Sequence, residues 1–289
     1  MRVTHYIKAD RILLFDTSNL SYVSYHSHKQ SMPENGHVYG FFERVYEMIA
    51  KSGWESVGLV FALDGYPKRK KDLYPDYKAN REKRDFDPKP DIYKMLRYMN
   101  CCVISNDMEE ADDLIATFCN ERERPVDVVS SDQDLWQLLP FENVRQYNPM
   151  KRRFVTTEDL YEKYGIESWT KVPLWKAMFG DGGDNIKPAV PRVRKKLVVP
   201  MINESNGSIK DFYRIVERDK DKFTPSMFEN MTNGRDKLIE NGKLVALDLQ
   251  CDYNVIYNKG NRKFLDVYLK RFGLSHFTNL TGLFSGEEQ

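Results

Sequence analysis

Short, mainly apolar runs that end in an acidic residue recur along the first half of the chain. Ile12 to Phe15 runs into Asp16, Val57 to Leu63 into Asp64, and Val126 to Val129 into Ser130, Ser131 and Asp132. Such runs, closed by turn-forming residues, predict strands buried on both faces. Between the first two, Val38, Phe41, Phe42, Val45, Met48 and Ile49 recur at helical spacing, with Gly53 to stop the helix. Cys101 to Ile104 predicts a further strand, followed by a helix from Glu109 to Cys119 and then the strand at Val126. This β-α-β alternation predicts an α/β fold with a mostly parallel central sheet flanked by helices. In parallel sheets ligands bind beyond the carboxyl ends of the strands, so Asp16, Asp64 and Asp132 are expected on one rim.

Further acids are placed to join them. Asp134 sits at the turn into a helix carrying Leu135, Leu138 and Leu139. Glu110 and Asp113 are three residues apart at a helix start, hence on one face, with Asp112 adjacent. Asp181 and Asp184 have the same spacing in a glycine-containing turn. From Asn185 onward the pattern turns helical, over 193–202, 208–217, 235–249 and 261–272, so a boundary is expected near residue 185. It would divide a core, 1–185, from a smaller helical domain, 186–289.

The chain of 289 residues is long enough for a sizeable core, and its 41% hydrophobic and 30% charged residues exclude a disordered chain. The apolar runs are far too short to span a bilayer, so an intracellular protein without a membrane anchor is expected. Four cysteines, Cys101, Cys102, Cys119 and Cys251, have neither zinc-ligand nor disulfide spacing and read as buried small hydrophobes. The five histidines likewise show no ligand or triad spacing.

Forty-four basic against 43 acidic residues leave a net charge of only +1, which would argue against a nucleic-acid partner. The distribution argues otherwise. Residues 68–84 hold eight basic and three acidic residues, and residues 186–199 hold five basic and no acidic ones. Setting aside Asp16, Asp64, Glu110, Asp112, Asp113, Asp132, Asp134, Asp181 and Asp184 leaves a remainder of +10, the character of a polyanion binder.

Each acid alone has an ordinary reading as a helix cap, turn former or solvated helix start. Converging, nine carboxylates need cations. Hard divalent ions such as Mg²⁺, with Mn²⁺ as a substitute, take carboxylate and water oxygens, and two such ions can drive phosphodiester hydrolysis. The basic segment would serve that chemistry. Pro75 suits the start of a helix on which Tyr77, Arg81 and Arg84 share a face with Lys78 alongside, presenting cations and an aromatic ring to phosphates and a base. Lys187, Arg192, Arg194, Lys195 and Lys196 are candidates for a duplex backbone. A Toprim-like or phosphatase-like Mg²⁺ site, and a non-catalytic structure-specific DNA-binding module, are the competing readings.

The segments at 14–18 (Leu-Phe-Asp-Thr-Ser), 61–65 (Phe-Ala-Leu-Asp-Gly), 74–81 (Tyr-Pro-Asp-Tyr-Lys-Ala-Asn-Arg), 110–113 (Glu-Ala-Asp-Asp), 131–135 (Ser-Asp-Gln-Asp-Leu) and 180–185 (Gly-Asp-Gly-Gly-Asp-Asn) together resemble the 5′-nuclease, or flap endonuclease, superfamily. Residues 143–150 and 273–279 resemble the corresponding segments of bacteriophage members. The resemblance implies a PIN-like core with a basic helical arch at about 66–90. It implies two Mg²⁺ ions held by the nine acids, catalytic roles for Lys78 and Arg81, and nucleic-acid contacts through Arg69, Tyr77, Lys78, Arg81 and Arg84. It implies a 5′ to 3′ exonuclease and flap endonuclease acting on DNA and RNA–DNA duplexes with flaps or nicks, removing RNA primers and adjacent DNA in the cytoplasm of a bacterial host. It also implies a monomer that meets a sliding clamp and a single-strand DNA-binding protein, with Leu280 to Phe284 as a docking peptide. Many relatives carry a Gly-Ile-Gly turn that binds potassium after the last aspartates. Here that place reads Arg192-Val193-Arg194, so direct arginine contacts to duplex are expected instead of a potassium site.

Overall fold

The structure, a computed structural model, describes residues 9–52, 57–81, 85–275 and 277. Arg84 and Leu280 to Phe284 lie outside the described residues. Strand β1 (Arg11–Asp16) leads into helices α1 (Thr17–His28) and α2 (Gly36–Ser52) and then β2 (Val57–Leu63). Helices α3 (Lys68–Leu73) and α4 (Lys89–Leu96), strand β3 (Asn100–Ser105), helix α5 (Ala111–Asn120) and strands β4 (Val126–Val129), β5 (Val144–Asn148) and β6 (Arg153–Phe154) follow. Next come helices α6 (Thr157–Tyr164), α7 (Val172–Phe179), α8 (Lys195–Glu204), α9 (Ile209–Arg218), α10 (Pro225–Asn233) and α11 (Arg235–Val245), then β7 (Asn254–Lys259) and α12 (Arg262–Arg271).

The strands form one sheet in the order β6-β5-β4-β1-β2-β3-β7. The five inner strands are parallel; β6 and β7 close the two edges antiparallel. The chain moves outward from β1 in both directions, so the β1–β4 seam is the point where strand order reverses and a crevice opens beyond the carboxyl ends. β1 shows why the sheet is covered on both faces. Leu13 and Phe15 pack with α2, α4 and α12, while Ile12 and Leu14 pack with α5, the two-residue alternation of a strand. A third apolar cluster joins α6 to α11 beside this sheet and takes in Tyr77 and Trp136.

Two expectations are corrected here. Residues 186–289 are not wholly helical: β7 pairs with β3 from Asn254 opposite Ser105 to Lys259 opposite Asn100, and Leu265, Tyr268, Leu269 and Phe272 of α12 join the sheet's own core. The packing is therefore not divided at residue 185, because the end of the chain returns to fill an open sheet edge and cover apolar surface. Among the described residues the helix expected from Pro75 is also absent. Residues 75–80 form turns, held by Tyr77 N–H to Tyr74 O and Ala79 N–H to Asp76 O, and Lys78 is left-handed at φ 56°. Its N–H donates to Asp184 O at 3.0 Å, a long-range bond that a continuing helix would forgo. The cysteine expectation agrees with the burial of Cys101, Cys102 and Cys119, with Cys251 half-buried.

Candidate functional site

The rim of the sheet collects acids because each strand end passes directly into a capped turn or helix. Asp16 ends β1 and caps α1, its Oδ1 accepting from Asn19 N–H at 3.0 Å. Its Oδ2 accepts from the Ser130 hydroxyl at 2.9 Å, which ties the ends of β1 and β4 together across the seam. Asp64, beyond β2, accepts from Ala111 N–H at 2.8 Å and so sits at the positive end of α5. That helix start carries Glu110, Asp112 and Asp113. Asp132 follows β4 and its Oδ1 accepts from Asp134 N–H at 2.8 Å.

The last two acids come from a tight loop after α7. Asp181 and Ile186 exchange backbone hydrogen bonds at 2.9 and 2.8 Å, closing the loop on itself. Gly180 makes this possible: its φ is +78°, and a Cβ there would lie 2.5 Å from Ile186 O. Asp134, Asp181 and Asp184 each place a carboxylate oxygen within 4.8 Å of the others.

Charge and proximity divide the nine acids into three groups, with Asp64 standing beside Asp16 in the first. Burial, with the charges of Asp64 and Asp132 added to it, pushes the Asp16 carboxyl up to about 7. Burial followed by the charges of Asp132 and Asp16 raises Asp112 well above the usual carboxylate range. Asp132 is raised chiefly by burial, against the pull of Lys176. These carboxylates feel one another, and among the described residues none has a direct ion-pair partner; Lys78 and Lys176 offset the repulsion on Asp112 and Asp132 only in part, the condition that divalent ions relieve. Asp134, Asp181 and Asp184 form the second group. The third is Glu110 with Asp113: burial opposes ionisation of Glu110, but the ammoniums of Lys70 and Lys78 overcome it and hold the carboxyl down at about 2.

The structure places Asp113 differently from its neighbours. Its carboxylate pairs with Lys70 at 2.9 Å and with Arg69 at 3.5 Å, and it accepts from Asp248 N–H at 2.8 Å. Lys70 reaches Glu110 at 2.8 Å with the same ammonium. Glu110 and Asp113 do share a face, as their spacing predicts, and what they share is a buried lysine.

Residues 74–81 lie as a strap across the acids. The Tyr77 hydroxyl sits 2.8 Å from Asp184 Oδ2 and 2.9 Å from Glu110 Oε2. Lys78 bonds Glu110 and lies 3.6 Å from Asp184, and Arg81 pairs with Asp184 at 2.9 Å. Asn80 donates to Gly182 O at 2.7 Å, and Asn185 donates back to Asp76 O at 2.9 Å. Tyr77 is buried at 1% exposure, which corrects the expectation that its ring stacks on a base. Arg69 is likewise committed, to Asp113, Asp248 and the Lys243 carbonyl, because α3 packs its first turn against the 243–248 segment. It is not a free phosphate contact.

Lys187, Arg192, Arg194, Lys195 and Lys196 are all exposed. Arg192 is left-handed at φ 56° and Arg194 caps α8, so the basic side chains gather at a helix start where N–H groups also favour anions. Lys195 lies over the Trp175 ring at 4.7 Å.

Two cations of the site escape the sequence reading. Lys70 is one of several lysines in a basic run, and nothing local marks it as the buried one. Lys176 has a visible signal: a single lysine within the otherwise apolar α7, five residues before Asp181. Its ammonium contacts Asp134 and, at 2.8 Å, Asp181.

Residues 11–165 match the family described as 5′-3′ exonuclease, N-terminal resolvase-like domain. A 5′-3′ exonuclease of Aquifex aeolicus is 29% identical over 76% of this chain and 78% of its own length. A 5′-3′ exonuclease of Buchnera aphidicola is 28% identical over 85% and 86%. DNA polymerase I of Rhizobium leguminosarum is 29% identical over 95% of this chain, which spans only 28% of that enzyme. Among solved structures, the T5 5′-exonuclease with zinc bound superposes with a TM-score of 0.67 at 18% identity, over 95% of this chain and 99% of that one. The T5 D15 flap endonuclease in complex with DNA and metal ions gives 0.65 at 18% identity, over 96% and 100%. The catalytic core of Rad2 with a DNA substrate gives 0.54 at 16% identity, over 98% and 95%. These structures share the fold, and the sequence match covers more than half of the chain. The chain belongs to the 5′-3′ exonuclease family.

Proposed function

We propose that the protein is a divalent-metal-dependent 5′ to 3′ exonuclease and flap endonuclease, of the bacteriophage ribonuclease H kind, that removes RNA primers and adjacent DNA from lagging strands. The observation that carries this reading is the meeting of carboxylates from β1, β2, α5, β4 and the 181–184 loop at the seam where strand order reverses, with a basic strap and a basic helix start beside them.

The donor set fits hard cations. It is all carboxylate, and burial together with mutual repulsion holds Asp16 and Asp112 far above their ordinary titration range. Asp16, Asp64, Asp112 and Asp132 would hold one Mg²⁺, and Asp134, Asp181 and Asp184 a second, with Mn²⁺ as substitute. When bound, two such ions supply charge neutralisation for both the attacking and the leaving oxygens of a phosphodiester displacement. Glu110 keeps Lys78 beside the acids, and Asp184 keeps Arg81 there, so both cations face the place where a scissile phosphate must lie. Tyr77 bridges Glu110 and Asp184 and fixes the strap between them. The helix start at Arg194 to Lys196, with Arg192 and Lys187, holds the downstream duplex through its phosphates, and no potassium is required there.

Contacts with a sliding clamp and a single-strand DNA-binding protein, a monomeric state and a bacterial cytoplasmic setting belong to the same reading. Among the described residues no helix is long and apolar enough to cross a membrane. The Toprim, phosphatase and silent-module alternatives lose ground to the family match and to an acid set with no member replaced.

The test is direct. The protein is incubated with 5′-labelled flap, nicked and RNA-primed duplexes, with Mg²⁺ or with EDTA, and the products are sized. Short 5′ fragments that appear only with Mg²⁺ support the assignment; hydrolysis of a small phosphomonoester with flaps untouched refutes it.

A further inference from the structure

Lys176 is the least expected member of the acid site. It projects from α7, an otherwise apolar helix, and is only 7% exposed. Its ammonium contacts one oxygen of Asp134 and lies 2.8 Å from Asp181, two of the three carboxylates whose oxygens fall within 4.8 Å of one another. It is also the first cation acting to lower Asp132. Among the described residues no cation forms a direct ion pair with Asp16, Asp64, Asp112 or Asp132; Lys78 and Lys176 act on Asp112 and Asp132 only from farther away. The two halves of the acid cluster thus differ: one feels cations only at a distance, the other has an ammonium in direct contact with two of its carboxylates.

We infer that Lys176 is a positioning residue that acts as an internal counter-ion for the Asp134, Asp181 and Asp184 triad, so that a divalent ion there must share or displace its ammonium. The inference rests on the metal-site reading above and adds an asymmetry to it: a tighter ion at Asp16, Asp64, Asp112 and Asp132, and a weaker, lysine-gated one at the triad. The physical basis is additive charge. Asp134 and Asp181 share the Lys176 ammonium while Asp184 is held from the strap by Arg81 and Lys78, so the triad presents less negative charge to an incoming ion, and an ion between Asp134 and Asp181 meets like-charge repulsion from Lys176 at contact distance. The ammonium also holds Asp134 and Asp181 together when no ion does, which keeps the loop at 180–186 closed.

Mn²⁺ binding to the whole protein without DNA, followed by calorimetry and by the free-ion electron spin resonance signal, reads this without any assay of cleavage. Wild type is expected to show two classes of site. In Lys176→Met the weaker class should tighten at least tenfold, while the metal-free melting temperature falls and saturating Mn²⁺ restores it; Lys176→Arg should resemble wild type. An unchanged or weakened second class in Lys176→Met, with the first class intact, overturns this inference alone. A wild-type protein that takes up no Mn²⁺ overturns the metal reading together with it. Should Lys176→Met not fold, wild type labelled with ¹³C at lysine Cε and titrated with Mg²⁺ decides the matter. The Lys176 resonance must move with the midpoint of the weaker class, and a resonance that stays fixed through saturation refutes the proposal.

Discussion

The Lys70 ammonium and the Asp113 carboxylate lie 2.9 Å apart with both side chains sealed from water. A buried pair of this kind is costly to break from one side, because the surviving charge has no water to turn to. Lys70 keeps Glu110 as a partner, so the loss is partial. Asp113→Asn is expected to lower stability by about 3 kcal/mol and to leave Mn²⁺ affinity unchanged. Urea denaturation in EDTA and a Mn²⁺ titration check the two halves separately.

Asp112, one residue earlier, should behave in the opposite way. Burial and the charges of Asp132 and Asp16 oppose its ionisation. Asp112→Asn removes that repulsion and is expected to raise metal-free stability by about 1 kcal/mol while abolishing Mg²⁺-dependent cleavage and leaving flap binding intact. Full cleavage by this variant would remove Asp112 from the site.

The same burial sets the pH profile of the metal-free protein. Asp16 is raised from 3.8 to about 7, so between these values the native state holds a proton that the unfolded chain has released, and stability falls as pH rises through that window. The slope reaches about 1.4 kcal/mol per pH unit for one such group. Glu110 runs the other way: lowered from 4.5 to about 2, its contribution is complete above pH 4.5 and is lost as the pH drops toward 2. The urea midpoint in EDTA should therefore peak between pH 4 and 5, and a midpoint that climbs from pH 5 to 7 would contradict the buried state of Asp16.

Arg81 sits 2.9 Å from Asp184 with half of its side chain open to solvent. Arg81→Ala is expected to slow single-turnover cleavage about ten- to a hundredfold through loss of a charge-assisted phosphate contact. An unaltered single-turnover rate would take Arg81 out of the reaction.

Duplex binding should weaken linearly in a log–log plot against salt, with a slope of about 0.9 per phosphate contact. Replacing Arg194, Lys195 and Lys196 together with alanine is expected to flatten that slope by about 2 to 3 units. Filter binding of a nicked duplex over a salt series measures it, and an unchanged slope would move the duplex away from the start of α8.

Much of this protein is legible in the order of its residues. Ile12 to Asp16, Val57 to Asp64 and Val126 to Asp132 announce buried parallel strands that end in carboxylates, and parallel strands put their ends on the same rim. That much follows because strand burial and helix periodicity are local properties. Ser208 and Asn261 announce their helices in the same way, as side-chain caps of α9 and α12. The residues of β7 carry no comparable signal, since an antiparallel edge strand is half exposed and its partner β3 lies about 150 residues earlier in the chain. The strap at residues 74–81 misleads for a related reason. Its cations and Tyr77 fit a solvated helix face as well as they fit a cover for buried acids, and the deciding bonds, from Lys78 N–H to Asp184 and from Tyr77 to Glu110 and Asp184, join segments far apart in the chain. The sequence by itself determined that many carboxylates would meet at one end of a parallel sheet. Only the tertiary structure decided which of them face one another unrelieved and which are held by Lys70, Lys78, Arg81 or Lys176, because charge pairing depends on distances of a few ångströms that no local pattern encodes.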